Sequence, residues 1–247
     1  MRKVFTVLCA LFFVWFSAQS AGATALLVQT DDLWHGDALQ PYDAMTNSGI
    51  TYDRISHNEL TNTNLSNYDF IYLVGSDGDS SEFDSLVNMN QIADYVGNGG
   101  LVLIHYAPWQ GDWTDIGPEG VNGVEEFSNT VNIVAPNDPL LNGITSTDLN
   151  DWNYTSHGYL TNLPQSSEIL LTNENQRPIY ARYDYGQGEV WITTMTMEWK
   201  NADHTLLYNE LQLAKNYSPA QVPEPSTLLL TGAGLLCLVF GQKRKEI

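Results

Sequence analysis

Imidazoles, carboxylates and indoles cluster just past the apolar runs of this chain, a combination suited to proton transfer and to gripping polyhydroxyl ligands. Asp31, Asp32, Trp34 and His35 follow the run Ala25–Thr30, and Asp77 and Asp79 follow Asp69–Val74. His105, Tyr106, Trp109 and Trp113 come at or after the end of Leu101–His105, and Glu198 and Trp199 follow Glu189–Thr194. An imidazole can orient a substrate, ligate a metal or act as a base near neutral pH. For His105 the carboxylate partners in such chemistry would be Asp31, Asp77 or Glu198; the other reading is a structural ring bonded to a neighbouring loop. Indoles and phenols can lie against the apolar faces of sugars while carboxylates take the hydroxyls. Trp34, His35, Tyr106, Trp109, Trp113 and Trp199 therefore form the expected ligand-binding set.

A second grouping is oriented toward a hard cation. Gly75-Ser-Asp-Gly-Asp-Ser-Ser-Glu82 places Asp77, Asp79 and Glu82 close together, as calcium requires, but lacks the full Asp-x-Asp-x-Asp-Gly…Glu spacing. A solvated turn leading into a capped helix accounts for the same residues. No motif requires a cofactor. His35, His57, His157 and His204 form no HExxH pair, and no serine stands in a Gly-x-Ser-x-Gly elbow.

The elements that must position these residues alternate in the first half. Ala25–Thr30 and Asp69–Val74 are continuous apolar runs of the kind that make buried parallel strands. Between them the sequence predicts a short helix over 38–48, closed by Gly49, and a strand over Thr51–Ile55. From Ser81 the 3–4 spacing of Phe83, Leu86, Val87, Ala93 and Val96 predicts a helix ending at Gly97, after which Leu101–His105 re-enters the sheet. This βαβαβ order implies an α/β fold with an open, mostly parallel sheet. Further strands are expected over Asn129–Ala135 and Glu168–Thr172, with a hairpin of Ile179–Tyr183 and Glu189–Thr194 around Gly186-Gln-Gly188. A last helix over Asp203–Asn216 would pack Leu206, Leu207, Leu211 and Leu213 or Ala214 on the sheet.

Both ends carry address signals rather than core. Arg2 and Lys3 precede the apolar run Val4–Phe16, followed by two A-x-A sites, Ala21-Gly22-Ala23 and Ala23-Thr24-Ala25, the pattern of a secretory signal peptide over residues 1–25. At the other end Val222-Pro-Glu-Pro-Ser226 is followed by an uncharged stretch to Gly241 and then Lys243, Arg244 and Lys245. Ser226–Gly241 falls just short of the roughly 17–25 residues of a comfortable bilayer span, which fits a temporary membrane anchor with its basic end in the cytoplasm. The triplet, short apolar helix and basic end closely resemble the PEP-CTERM sorting signal. The resemblance implies cutting near Pro223–Pro225 by an exosortase after export, inner-membrane anchoring before processing, and a final place at the cell surface or outside. It also implies an association with extracellular polysaccharide.

Processing at both ends changes the chemistry available to the remainder. Cys9 and Cys237 fall in the two end segments, so residues 26–217, read as one domain ahead of the 218–225 linker, contain no cysteine, disulfide or thiolate nucleophile. Residues 24–222 hold five basic and 27 acidic residues, a formal charge of −22. Such a surface repels nucleic acid and anionic lipid and suits solvation outside the cell, divalent cations or neutral glycans.

The central segment resembles class I glutamine amidotransferase-like domains. Tyr95-Val-Gly-Asn-Gly-Gly-Leu-Val-Leu-Ile-His-Tyr-Ala107, Asn137-Asp-Pro-Leu-Leu-Asn-Gly-Ile144 and Pro178-Ile-Tyr-Ala-Arg-Tyr-Asp-Tyr-Gly-Gln-Gly-Glu-Val190 occur in the order of that family, the first two being most similar to its ThuA-like branch. The resemblance implies a flavodoxin-like three-layer fold with an extra hairpin. It does not imply amidotransferase activity, because His105-Tyr106-Ala107 stands where the nucleophilic cysteine would follow the Gly-Gly strand. Three readings result: a catalytically degenerate domain binding extracellular glycan, a cysteine-independent enzyme acting on a sugar derivative through His105, or a structural matrix component. His105 separates the first two. A carboxylate within about 3 Å in an open pocket favours the enzyme, and burial in the core disfavours it.

Overall fold

The computed structural model describes residues 24–32, 39–75, 89–107, 111–150, 154–199 and 204–218. Trp34, His35, Asp77, Asp79, Glu82 and Trp109 lie outside the described residues, as do both end segments, including Val222, Pro223, Glu224, Pro225, Ser226, Lys243, Arg244 and Lys245.

Four apolar runs form the parallel heart of the sheet: β1 (Thr24–Val28), β3 (Phe70–Val74), β4 (Leu101–His105) and β11 (Gly188–Thr193), with β2 (Thr51–Ile55) outside β1. β3 and β4 are buried at every position, which is why their sequences run apolar without alternation. The order β2-β1-β3-β4-β11 continues through antiparallel β10 (Pro178–Tyr185), β9 (Glu168–Thr172) and the two-residue β7 (Asn132–Ile133) to complete a mostly parallel eight-stranded sheet. Because β1 lies between β2 and β3, the direction of winding reverses there, opening a crevice at the carboxyl ends of β1 and β3.

Helices α1 (Pro41–Asn47) and α3 (Thr205–Lys215) cover one face. Proline at the first turn of α1 uses a position whose N–H has no helical partner, and Gly49 follows at φ 63, the left-handed conformation glycine adopts freely. Leu27, Tyr72, Leu103 and Tyr180 point to this face, together with Leu206, Leu207, Leu211 and Ala214 of α3. The other face carries Leu26, Ile71, Val102, Ile104 and Ile192. It is covered by α2 (Met89–Gly97), through Ile92 and Val96, and by a second sheet. α2 ends at Gly97 as expected, and the chain takes a positive φ two residues later, at Gly99.

The second sheet is the main departure from the sequence reading. Three antiparallel strands, β5 (Trp113–Gly117), β6 (Val121–Ser128) and β8 (Ser156–Thr161), stack Trp113, Ile116, Val121 and Leu160 onto the main sheet. Their sequences carry acids, asparagine and glycine, so local β preference is weak and burial supplies the stabilisation. Gly123 shows the tightness of this contact: a Cβ there would meet the Tyr106 ring at 2.2 Å. The strand expected over Asn129–Ala135 contracts to Asn132–Ile133. At the front, β1 spans Thr24–Val28, starting one residue ahead of the expected run Ala25–Thr30 and stopping two residues short of its end.

Candidate functional site

His105 ends the central strand β4, and period-two alternation turns it, like Leu101 and Leu103, toward α3. The loop after β11 brings Glu198 to one ring nitrogen. His105 Nδ1 donates to Glu198 Oε1 at 2.5 Å, and Tyr72 Oη donates to the same oxygen at 2.6 Å while lying 2.9 Å from Nδ1. Glu198 is fixed from behind as well, its backbone carbonyl accepting the Leu39 N–H at 2.8 Å. On the opposite side of the ring, Nε2 donates to Glu210 Oε2 of α3 at 2.7 Å, and Tyr180 Oη donates to Glu210 Oε1 at 2.5 Å.

All five side chains are sealed in. His105 is 2% exposed, Glu198 3%, and Tyr72, Tyr180 and Glu210 are fully buried. Burial alone would push the His105 ring down, but the charges of Glu210 and Glu198 and their hydrogen bonds outweigh it and hold the ring up to about 10. Burial likewise pushes Glu198 up, but the charge of His105, then hydrogen bonds from His105 and Tyr72, bring it below the usual carboxylate range. Burial, the neighbouring glutamates and hydrogen bonding raise both tyrosines well above 10. At neutral pH the ring is therefore an imidazolium with both N–H groups spent on carboxylates. So held, the ring offers no lone pair to accept a proton, and among the described residues it is buried rather than open to a cleft.

The structure thus brings together two of the four expected acid–base residues, His105 and Glu198, in the core rather than in a cleft. Asp31 is exposed, its backbone carbonyl accepting from Gln29 Nε2 at 2.8 Å, and it takes no part in the cluster. Tyr106 follows His105 in sequence but belongs to the opposite face, where it is fully buried and meets Trp113 edge-on with ring centroids 4.1 Å apart. Trp199 is half-buried, its N–H bonded to Thr196 O. Among the described residues no three His, Cys, Asp or Glu side chains are grouped to hold a metal ion.

Glu210 and the two tyrosines were not anticipated from sequence. The available signal was a carboxylate on the apolar stripe of α3, where Glu210 shares a face with Leu206, Leu207, Leu211 and Ala214. Tyr72 and Tyr180 are masked within apolar strands. A cavity of about 450 Å³ lies far from His105, at the amino ends of β3 and β4, lined by Tyr68, Asp69, Asp94, Tyr95, Gly100 and Tyr217 among others. The buried ionisable groups converge around His105, whereas the cavity at the far edge is lined by side chains that make no such buried cluster.

Solved structures share this architecture. A candidate GMP synthase component from Thermoplasma acidophilum aligns with a TM-score of 0.55 at 14% identity, covering 81% of this chain and 97% of its own. A cytoplasmic protein from Salmonella typhimurium LT2 aligns at 0.53 and 14%, covering 77% and 99%. The described domain shares the α/β fold of these two proteins. A curated relative, an uncharacterised protein of Clostridium acetobutylicum, is 28% identical over 182 residues, which make up 70% of this chain but only 18% of that protein. Residues 221–245 carry the PEP-CTERM protein-sorting motif. The motif marks an exported, surface-sorted protein and implies processing by an exosortase. Among the described residues no helix is long and apolar enough to cross a membrane.

Proposed function

We propose that this is an exported surface protein whose amidotransferase-like domain is catalytically degenerate and binds extracellular glycan. The observation that carries the non-catalytic reading is the closure of His105, whose two ring nitrogens are both bonded to buried carboxylates. The alternative enzyme acting on a sugar derivative through His105 would need a free lone pair and access, and the ring has neither.

Glycan binding is supported by topology and composition. The crevice at the carboxyl ends of β1 and β3 is where ligands enter folds of this kind, and Asp31 is exposed beside it. Trp34, His35 and Asp77 belong to the segments that follow those two strands, and Trp109 follows β4. The acidic surface suits a neutral polymer over a polyanion. The chain leaves the described domain at Tyr217 and Ser218, beside the amino ends of β4 and β11, so the crevice edge faces away from the sorting tail's point of departure. Burial of Trp113 favours the structural matrix reading for that one residue.

The test is binding of the processed protein to an array of neutral and acidic polysaccharides, with Trp34→Ala, Trp109→Ala and His105→Gln variants. Expected are loss of affinity of about tenfold or more for the tryptophan variants, by analogy with removal of a stacking ring, and little change for His105→Gln if folded. Absence of binding to every polysaccharide removes the glycan reading in favour of the matrix one. Turnover of a sugar derivative that disappears in His105→Gln removes the degenerate one.

A further inference from the structure

Resting on the export reading, we propose that the leader is removed by hydrolysis of the Ala23–Thr24 bond and that the freed Thr24 α-ammonium is held by Asp69. The sequence offers two overlapping A-x-A sites, ending at Ala23 and at Ala25, and does not choose between them. The structure distinguishes them by what each cut does to β1.

Cutting after Ala25 would take two residues off a strand hydrogen-bonded on both sides. Ala25 is fully buried and pairs with Tyr52 of β2 and Phe70 of β3, and Thr24 pairs with Thr51. The new charge would then fall on Leu26, which is also fully buried between Asp53 and Ile71 in the ladder. An ammonium placed there loses its hydration, a cost that apolar neighbours do not offset.

Cutting after Ala23 keeps all five residues of β1 and leaves the charge at half-buried Thr24 on the edge of the sheet. The receptor for it is already built. Thr24 N lies 2.7 Å from Asp69 Oδ2, and the Asp69 N–H donates back to the Thr24 carbonyl at 2.8 Å. Hydrolysis breaks the C–N bond, adds the water oxygen to the Ala23 carbonyl carbon to give a carboxylate, and leaves the protons on the Thr24 nitrogen. A neutral N–H to carboxylate bond thereby becomes a charge-assisted one without any movement of the strand. Asp69 and Tyr217 line the same cavity, so the new amino terminus and the departure point of the sorting tail meet at one edge of the domain.

The experiment is expression of the full chain in a double-membrane bacterium that has an exosortase, followed by sequencing of the first residues of the exported protein. Thr-Ala-Leu-Leu-Val is expected. A start at Leu26, or at any other residue after cleavage, overturns this inference and leaves the export reading intact; an uncleaved leader overturns both. Failure to bind glycan bears on neither. Asp69 is tested by labelling the α-amine near pH 7, where Asp69→Asn should react at least about threefold faster than wild type. Should that variant not fold, raising salt on the wild-type protein should speed labelling by screening the pair. Equal rates in Asp69→Asn, or rates indifferent to salt, overturn the role of Asp69.

Discussion

His57 and His105 are buried almost equally, at 3% and 2% exposure, and yet they are held in opposite protonation states. His57, just beyond β2, has its Nδ1 2.7 Å from Thr30 Oγ1, a hydroxyl that also accepts the His57 backbone N–H at 3.2 Å. Burial pushes its ring down to about 4, against weaker upward pulls from a backbone hydrogen bond at Val74 and the charge of Asp31. Burial acts in the same direction on His105, but a carboxylate on each nitrogen reverses the outcome and takes the ring to about 10. Desolvation sets the penalty for charge, and the partner decides whether charge is carried in spite of it. Neither ring is poised near neutral pH, where a general base would work. In both rings the protonation state is set by electrostatics as well as by burial.

The largest expected effect comes from breaking the charged side of this comparison. His105→Ala leaves Glu198 and Glu210 facing each other's charge without a cation and should destabilise the domain by about 3–5 kcal/mol, read from the urea midpoint. Replacing the whole cluster with apolar side chains of similar size, as His105→Leu, Glu198→Met, Glu210→Met, Tyr72→Phe and Tyr180→Phe together, should recover most of that loss. A single variant within about 1 kcal/mol of wild type would show that the triad holds no charge worth compensating.

An intermediate effect is the pH dependence of stability, to which the two histidines contribute with opposite sign. His105 has a folded value above its unfolded one near 6.5, so its contribution is complete below about 6.5 and disappears as pH rises toward 10. His57 has a folded value below its unfolded one, so its contribution is complete above about 6.5 and is lost as pH falls toward 4. Glu198, held low, adds to the acid loss below the unfolded carboxylate value near 4.5. Denaturation midpoints across pH 4–10 should peak near 6.5, with an acid limb from His57 of up to about 3 kcal/mol. Stability that climbs steadily from 6.5 to 10 would contradict the imidazolium at His105.

The smallest effect isolates the neutral side. His57→Gln loses about 1 kcal/mol at neutral pH through its bond with Thr30. It should flatten the decline between pH 6.5 and 4.5 while leaving the alkaline limb in place. Persistence of the full acid limb would assign it to other groups.

Much of the sheet was legible because its strands are extreme. Phe70–Val74 and Leu101–His105 are apolar throughout, as only strands covered on both faces can be, and the hairpin declared itself through Gly186-Gln-Gly188 between two β-rich runs. The second sheet was not legible, since Val121–Ser128 reads Val-Asn-Gly-Val-Glu-Glu-Phe-Ser and becomes a strand through what it covers. The site was legible in part. His105 and Glu198 were singled out as strand-end residues, but their expected companions Asp31 and Tyr106 separate, one to solvent and one to the opposite face. Glu210 lies 105 residues from His105 along the chain, and no spacing rule connects a helix residue to a strand end at that separation.

By itself the sequence determined where this protein is sent, that its domain has no thiol, and that its core is a parallel sheet. Those properties follow from local order and composition: a triplet before an apolar segment and basic residues, cysteines confined to the ends, and uninterrupted apolar strands. Only the tertiary structure decided the state of His105. That state depends on two carboxylates delivered by a loop and a helix distant in sequence, and on the dry interior that strengthens their hold.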